Sequence, residues 1–255
     1  MRESHDAEKK IMIRVKRQDG PDEGVYWEEF AVPYRRNMNV IAALMEIQRN
    51  PVNSKGQKVR AVVWESNCLE EVCGACSMII NGKVRQACSA LVERLVQPIV
   101  LEPMSKFPVQ RDLHVNRQRL FDGLKKINGW IPIDGTYALG SGPLISQEEQ
   151  QEAYKYSTCM TCGCCLEACP NVNERSFYMG PQTMMQAKYF NMHPTGGKHK
   201  KERMNAVIGP EGIVNCGNSQ NCVKSCPKEI PLAAALAELN REANVYALRK
   251  WFMGN

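Results

Sequence analysis

The run Cys159-Met160-Thr161-Cys162-Gly163-Cys164-Cys165-Leu166-Glu167-Ala168-Cys169-Pro170 decides how this chain is read. With Cys164 set aside, the spacing is C-x-x-C-x-x-C-x-x-x-C-P, a pattern in which one short loop delivers thiolates to an iron–sulfur cluster. Where two such runs occur, the fourth cysteine of each serves the other run's cluster, so the first run asks for a second. It stands, incomplete, at Cys216-Gly217-Asn218-Ser219-Gln220-Asn221-Cys222-Val223-Lys224-Ser225-Cys226-Pro227. Aligned on spacing, Ser219 occupies the place of a second cysteine. Cross-ligation gives one site of Cys159, Cys162, Cys165 and Cys226, four thiolates suited to a 4Fe–4S cluster. The other site has three thiolates, from Cys169, Cys216 and Cys222. A cluster lacking one ligand sheds its fourth iron, so the expectation is 3Fe–4S, with a serine-ligated 4Fe–4S cluster as the alternative. Cys164 is left over and reads as a small buried hydrophobe.

A third group lies upstream. Cys68, Cys73 and Cys76 have four and then two residues between them, and Cys88 follows. That is plant-type 2Fe–2S ferredoxin spacing. The chemistry needs a compact loop whose N–H groups face the cluster, and Gly74 and Ala75 let the backbone come close. Structural zinc is the competing reading, but zinc sites favour repeated pairs of cysteines rather than a trio with one distant partner. The three sites use eleven of the 12 cysteines.

The 255 residues are enough for two domains with cores of their own, and 44% hydrophobic with 24% charged residues excludes wholesale disorder and fibrous repeats. No run approaches the ~18 apolar residues of a membrane helix, and the polar start MRESHDAEKK lacks a signal-peptide apolar region. A chain kept in a reducing, cytosol-like compartment is expected, where cysteines serve metal or redox chemistry rather than disulfides. The net charge of +6 is mild and names no partner.

The fold class expected is α+β. An N-terminal β-grasp, plant-type 2Fe–2S ferredoxin domain over 1–108 precedes an all-α, bacterial-type two-cluster ferredoxin domain over 109–255. Ile11, Ile13 and Val15 alternate with polar residues, and a second strand-like run spans Tyr26 to Val32. Asn39 caps a helix from Val40 to Gln48, and Asn81-Gly82 turns a hairpin between Met78 and Val84. Pro98, Pro103 and Pro108 mark Gln97 to Gln110 as an extended linker. Helices are expected over Val115–Ile127, Gln147–Ser157 and Leu232–Trp251. The stripe Leu232, Leu236, Leu239, Val245 and Leu248 of the last is taken as core.

The ordered set of three motifs closely resembles the iron–sulfur subunits of succinate dehydrogenase (succinate:quinone oxidoreductase) and of its relative fumarate reductase. The likeness includes Asn67 to Met78 and Cys226-Pro227-Lys228. Asn50 to Asn53 and Trp130 to Tyr137 are similar to the Gram-positive, Bacillus-type branch. The resemblance implies an electron relay between an FAD-containing flavoprotein, which oxidises succinate, and a membrane anchor that reduces quinone. The 2Fe–2S cluster then faces the flavin, the 4Fe–4S cluster lies between, and the 3Fe–4S cluster faces the quinone. It further implies a peripheral position on the cytoplasmic face of the cell membrane.

Two departures point within that family. Ubiquinone-type relatives follow the counterpart of Cys169-Pro170 with aromatic residues including tryptophan, whereas here Asn171-Val172-Asn173-Glu174 follow. They also place a histidine after the counterpart of Cys216, where this chain has Gly217. The pattern resembles the menaquinone branch, whose cytochrome b anchor carries two haems b and itself holds the quinone.

His193 and His199 read as loop histidines, the thiolates being already matched. Lys198, His199, Lys200, Lys201 and Arg203 read as a solvated basic loop, with a contact to lipid headgroups or to the anchor as the functional alternative. No nucleic-acid motif accompanies them. No nucleophile, paired carboxylates or phosphate loop stands in a recognisable context, so succinate chemistry is not expected on this chain itself. A fumarate reductase iron–sulfur subunit running the relay in reverse, a free multi-cluster ferredoxin and a zinc-stapled binding module are the competing functions.

Overall fold

The computed structural model describes residues 9–131 and 144–253. Residues 1–8 of the polar start and the stretch Pro132 to Tyr137 quoted above lie outside the described residues. The chain divides into two compact units, Met1–Arg117 and Gln118–Asn255.

The first unit is built on a five-stranded mixed sheet. Strand β1 (Lys10–Gln18) pairs antiparallel with β2 (Val25–Pro33), with Ile13 opposite Phe30. After helix α1 (Val40–Arg49) come the hairpin strands β3 (Ser77–Ile80) and β4 (Lys83–Gln86), then β5 (Ile99–Glu102). The order across the sheet is β2-β1-β5-β3-β4, with β5 parallel to β1. Alternation decides which face is inside: Ile11, Ile13 and Val15 are buried and pack with Phe30, Leu44, Ile99 and Leu101. The helix begins where its cap is met, the Ala42 N–H donating to Asn39 Oδ1 at 2.8 Å. Asn81 and Gly82 both take the positive φ that a tight hairpin requires.

The linker reading of Gln97 to Gln110 is corrected. Ile99–Glu102 is the middle strand of the sheet, with Ile99 and Leu101 fully buried. Pro98 and Pro103 flank this strand rather than interrupt it, so neither removes an N–H from its ladder. The chain then makes a small hairpin of β6 (Val109–Arg111) and β7 (His114–Val115).

That hairpin places the division after Arg117, where the sequence suggested 108. Asp112, at its turn, is fully buried and binds the fully buried Arg17 through both carboxylate oxygens, at 3.0 and 3.1 Å. Asp112 also accepts from the Val63 N–H at 2.9 Å, and Arg17 donates to the Arg60 carbonyl at 2.9 Å and to Glu28. A single carboxylate thus ties β1, the 60–63 segment and the 109–115 hairpin together.

Among its described residues the second unit is helical: α2 (Gln118–Lys126), α3 (Gln147–Ser157), α4 (Cys164–Ala168), α5 (Pro181–Met192), α6 (Lys200–Val207), α7 (Asn221–Lys224) and α8 (Leu232–Met253). Ser146 and Glu149 close a capping box on α3. Helix α5 is central and packs on α2, α3, α6 and α8. Lys188 of α5 reaches Glu238 and Glu242 of α8, each at 3.0 Å.

Two further expectations change. Of the α8 stripe, Leu232, Leu236 and Leu239 are core, but Val245 and Leu248 are exposed, and Trp251 beyond them is 75% exposed. Past Ala243 the helix keeps polar contacts instead, Tyr246 and Lys250 donating to Asn205 Oδ1 of α6 at 3.1 and 2.9 Å. The basic run is not a loop: it forms a 3-10 turn (Gly196–His199) and the start of α6, with Arg203 fully buried. Its guanidinium donates to Asn191 Oδ1 at 2.8 Å and to the Gly196 and Asn128 carbonyls at 3.1 and 3.0 Å. His193 serves the same turn, its Nδ1 accepting from the Thr195 and Gly196 N–H groups. Among the described residues, no helix is long and apolar enough to cross a membrane.

Removing one partner of a buried, hydrogen-bonded ion pair strands the other's charge. Asp112→Ala should cost about 3 kcal/mol, the low end for such a loss because Glu28 still faces Arg17. A urea titration followed by circular dichroism reads this as a lower midpoint; an unchanged midpoint would show that Asp112 does not hold the unit together.

Candidate metal centres

The first cysteine group is shaped by backbone that only a thiol-directed loop would need. Leu69, Glu71 and Gly74 all have positive φ, at 62°, 58° and 72°. This winding aims N–H groups at sulfur. Cys68 Sγ accepts from the Val72 and Cys73 N–H groups at 3.3 Å and from Glu70 at 3.4 Å. Cys73 Sγ accepts from Ala75 at 3.4 Å. On the outer side Arg117 donates to the carbonyls of Gly74, at 2.7 Å, and of Ala75, and is itself held by Glu65. Arg117 thus turns the carbonyls out and the N–H groups in, a role that no cysteine spacing reveals.

The thiols differ in their readiness to ionise. The N–H groups of Glu70 and Val72 bring Cys68 down to about 7. Burial pushes Cys76 up to about 12, with Cys88 beside it adding to the penalty. Cys76 lies at the foot of β3 and Cys88 just past β4, so the hairpin brings these two together. The site therefore holds a half-buried, N–H-rich side and a buried side whose charge needs a cation.

In the second unit the two cysteine runs share one backbone. Two residues after the leading cysteine, Thr161 and Asn218 have positive φ (50° and 52°); four residues after it, so do Gly163 and Gln220 (85° and 59°). A short helix follows in each case, α4 and then α7. The Leu166 N–H bonds the Gly163 carbonyl as Val223 bonds Gln220, and Cys169 bonds Leu166 as Cys226 bonds Val223. Under this correspondence Ser219 stands in the structural place of Cys162.

The thiols fall into two pockets. Cys159, Cys162, Cys165 and Cys226 line one, together with Gln182 and Met185 of α5. Cys169, Cys216, Cys222 and Ser219 line the other, with Asn171 and Gly217. The strongest electrostatic couplings follow the same partition, with Cys222 of the other pocket a smaller influence on Cys165. Burial raises Cys165 well above the usual thiol range, and Cys162, Cys159 and Cys226 raise it further. Burial likewise raises Cys222, with Cys169 and Cys216 adding to it. Cys164 is fully buried on α4 and lines neither pocket.

The N-terminus of α5 borders both pockets. Its cap, Gly180, has φ 100°, and a Cβ there would lie 2.5 Å from Leu166 Cδ1 on α4. Only glycine permits this approach. Tyr178, fully buried, precedes it; burial and then Cys216 and Cys169 keep its phenol protonated. Gln186, one turn beyond Gln182, lies beside Cys159 and favours its thiolate. Sequence reasoning missed Tyr178, Gln182 and Gln186, which carry no spacing signal and lie near the thiols only in three dimensions.

The two departures noted in the sequence are neighbours here. A Cβ on Gly217 would come within 2.9 Å of Asn171 Oδ1, so Asn171 occupies the space a side chain at 217 would claim.

Thiol sets of four and of three, each converging on one pocket, fit iron–sulfur clusters, which bind thiolate and offset its charge. Comparison with known proteins agrees. A family described as a 2Fe-2S iron-sulfur cluster binding domain matches residues 12–122, and one described as a 4Fe-4S dicluster domain matches 155–230. The chain is 59% identical to the succinate dehydrogenase iron-sulfur subunit of Bacillus subtilis, covering 96% of this chain and 97% of that one. It is 26% identical to the fumarate reductase iron-sulfur subunit of Haemophilus influenzae, over 84% and 85%. A chain of the Mycobacterium smegmatis Sdh1 complex shares the fold with a TM-score of 0.77 at 23% identity, covering 95% of this chain and 97% of that one.

In the iron-free chain at neutral pH, alkylation should reach Cys68 long before Cys76. The Cys68 thiolate is populated above about 7 and lost as pH falls below it. Peptide mass mapping across a pH series checks this, and equal labelling of the two thiols would refute the assignment of the loop N–H groups to Cys68.

Proposed function

The chain belongs to the family of succinate dehydrogenase iron–sulfur subunits, and from that membership we propose that it relays electrons from an FAD-containing flavoprotein subunit to quinone at a membrane-anchor subunit. It carries a 2Fe–2S domain and a 4Fe–4S dicluster domain. When bound, the clusters supply one-electron carriers; everything else is done by the chain's own residues. Cys68, Cys73, Cys76 and Cys88 hold the 2Fe–2S cluster in the first unit, Met1–Arg117. Cys159, Cys162, Cys165 and Cys226 hold 4Fe–4S, and Cys169, Cys216 and Cys222 hold 3Fe–4S, in the second, Gln118–Asn255.

The observation that carries this reading is the pairing of a four-thiol pocket with a pocket of three thiols and a serine. Serine's hard oxygen is a poorer ligand than thiolate for an iron–sulfur cluster, which favours a three-iron site there. Asn171 and Gly217 supply none of the aromatic or imidazole contacts of ubiquinone-type relatives. This supports menaquinone held by a dihaem cytochrome b anchor, with the chain on the cytoplasmic face of the membrane.

Purification of the tagged chain from detergent-solubilised membranes tests the whole reading. A flavoprotein and a haem-bearing membrane protein should come with it. Low-temperature EPR should show a 3Fe–4S signal when oxidised and a 2Fe–2S signal when reduced. A colourless, zinc-loaded chain purifying alone would overturn it.

Ser219→Cys tests the third site. A thiol there restores the ferredoxin spacing, so the site should retain a fourth iron and lose the oxidised-state 3Fe–4S signal. Its potential should fall, because cluster type is a main determinant of potential. Quinone reduction should then slow while succinate oxidation by an artificial acceptor at the flavin survives. Unchanged iron content and EPR would mean that Ser219 does not face the open corner.

A further inference from the structure

Two neutral hydrogen-bond donors are buried beside the start of α5 without an acceptor in hydrogen-bonding geometry. Gln182 is 1% exposed and lines the four-thiol pocket. Its Oε1 accepts from the Thr183 hydroxyl at 3.3 Å, while Nε2 has no partner. Tyr178 is fully buried, and its hydroxyl finds no partner of hydrogen-bonding geometry. It lies against Cys216, Cys169 and Cys222, the thiols of the other pocket. Among the described residues, every other buried side-chain atom without a partner belongs to an arginine, aspartate or glutamate. The two neutral orphans are thus both at the thiol pockets, one at each.

Leaving a buried donor unsatisfied costs about 1–3 kcal/mol, and such a group in a folded protein calls for an explanation. Packing alone does not give one, since methionine and phenylalanine would fill the same volumes without a stranded N–H or O–H. Thr183 holds the Gln182 carbonyl end, which leaves the amide NH2 to point elsewhere. The Met179 N–H is bonded to the Glu211 carbonyl at 3.0 Å, which ties the backbone beside Tyr178 to the segment leading into Cys216.

We propose that Gln182 and Tyr178 are potential-setting donors, the Gln182 amide to the cluster of the four-thiol pocket and the Tyr178 hydroxyl to the cluster of the three-thiol pocket. This rests on the relay reading above. Hydrogen bonds to cluster sulfur stabilise the more negative, reduced state, and so raise the potential. Tyr178 just before α5 and Gln182 in its first turn therefore set the two potentials separately, and with them the downhill step between the sites.

The test is a potentiometric EPR titration of the purified complex, carrying Tyr178→Phe or Gln182→Met, with iron content measured alongside. Tyr178→Phe should lower the reduced-to-oxidised ratio of the three-thiol cluster about tenfold at fixed potential, which is a midpoint about 59 mV lower for one electron. The four-thiol midpoint should stay in place. Gln182→Met should do the reverse. Fully loaded variants whose midpoints do not move overturn the inference while leaving the relay intact; a wild-type complex without iron–sulfur signals overturns the relay itself. Should a variant lose its cluster, the wild type still decides for Tyr178. Electron–nuclear double resonance after prolonged exchange into D2O should detect an exchangeable proton coupled to the oxidised three-thiol cluster. Its absence would show that the hydroxyl does not donate.

Discussion

Anionic sulfur buried beside anionic sulfur is the constraint on which the C-terminal unit turns. Cys165 shows it most plainly: its own burial, then Cys162, Cys159 and Cys226, all disfavour its thiolate. Iron offsets that charge, so the metal is part of the folding energy of this unit rather than a passenger on it. The geometry follows from the need to converge. Residues of positive φ wind the chain tightly around each pocket, and short helices turn the next cysteine away from it. Gly180 lets α5 close on α4 from the other side. In the first unit the same need is met with backbone N–H groups on Cys68 and Cys73, kept facing inward by the grip of Arg117 on the opposite carbonyls.

Much of this was legible in the sequence because cysteine spacing is a local code. The distance between two thiols in a loop fixes whether they can converge, and that distance is countable. Period-two alternation gave β1, and Asn39 gave the start of α1, for equally local reasons. What was not legible depends on contacts far apart in the chain. Ile99–Glu102 looked like linker because its prolines are visible and its two neighbouring strands are not. The hairpin of 109–115 belongs with the first unit because Asp112 meets Arg17, a pairing across 95 residues. Arg203 looked like one more solvated cation and is instead an internal clamp on three segments.

Helix α8 carries the same lesson in another form. Its apolar stripe is continuous in sequence, but burial depends on whether anything stands opposite, and beyond Leu239 only Ala243 remains buried. Periodicity reports which face is apolar, not how far the partner extends. Tyr178 and Gln182 were missed for a related reason: a tyrosine and a glutamine near a helix start read as core and cap. Only the absence of a partner for their polar atoms, visible in three dimensions, marks them.

The crossing of Cys226 into the pocket of Cys159 has a consequence for how the protein is made. At the pace of translation, Cys169 leaves the ribosome on the order of several seconds before residue 226 does. During that interval the nascent chain offers Cys159, Cys162, Cys165 and Cys169, a set of four thiols complete within a dozen residues and chemically adequate for a cluster. Iron delivered then would meet a ligand set that the finished protein divides between two pockets. Helix α4 carries Cys165 and ends just before Cys169, sending the two to different pockets. One turn of helix, formed before its downstream partners exist, therefore has to act as the arbiter of which thiol goes where.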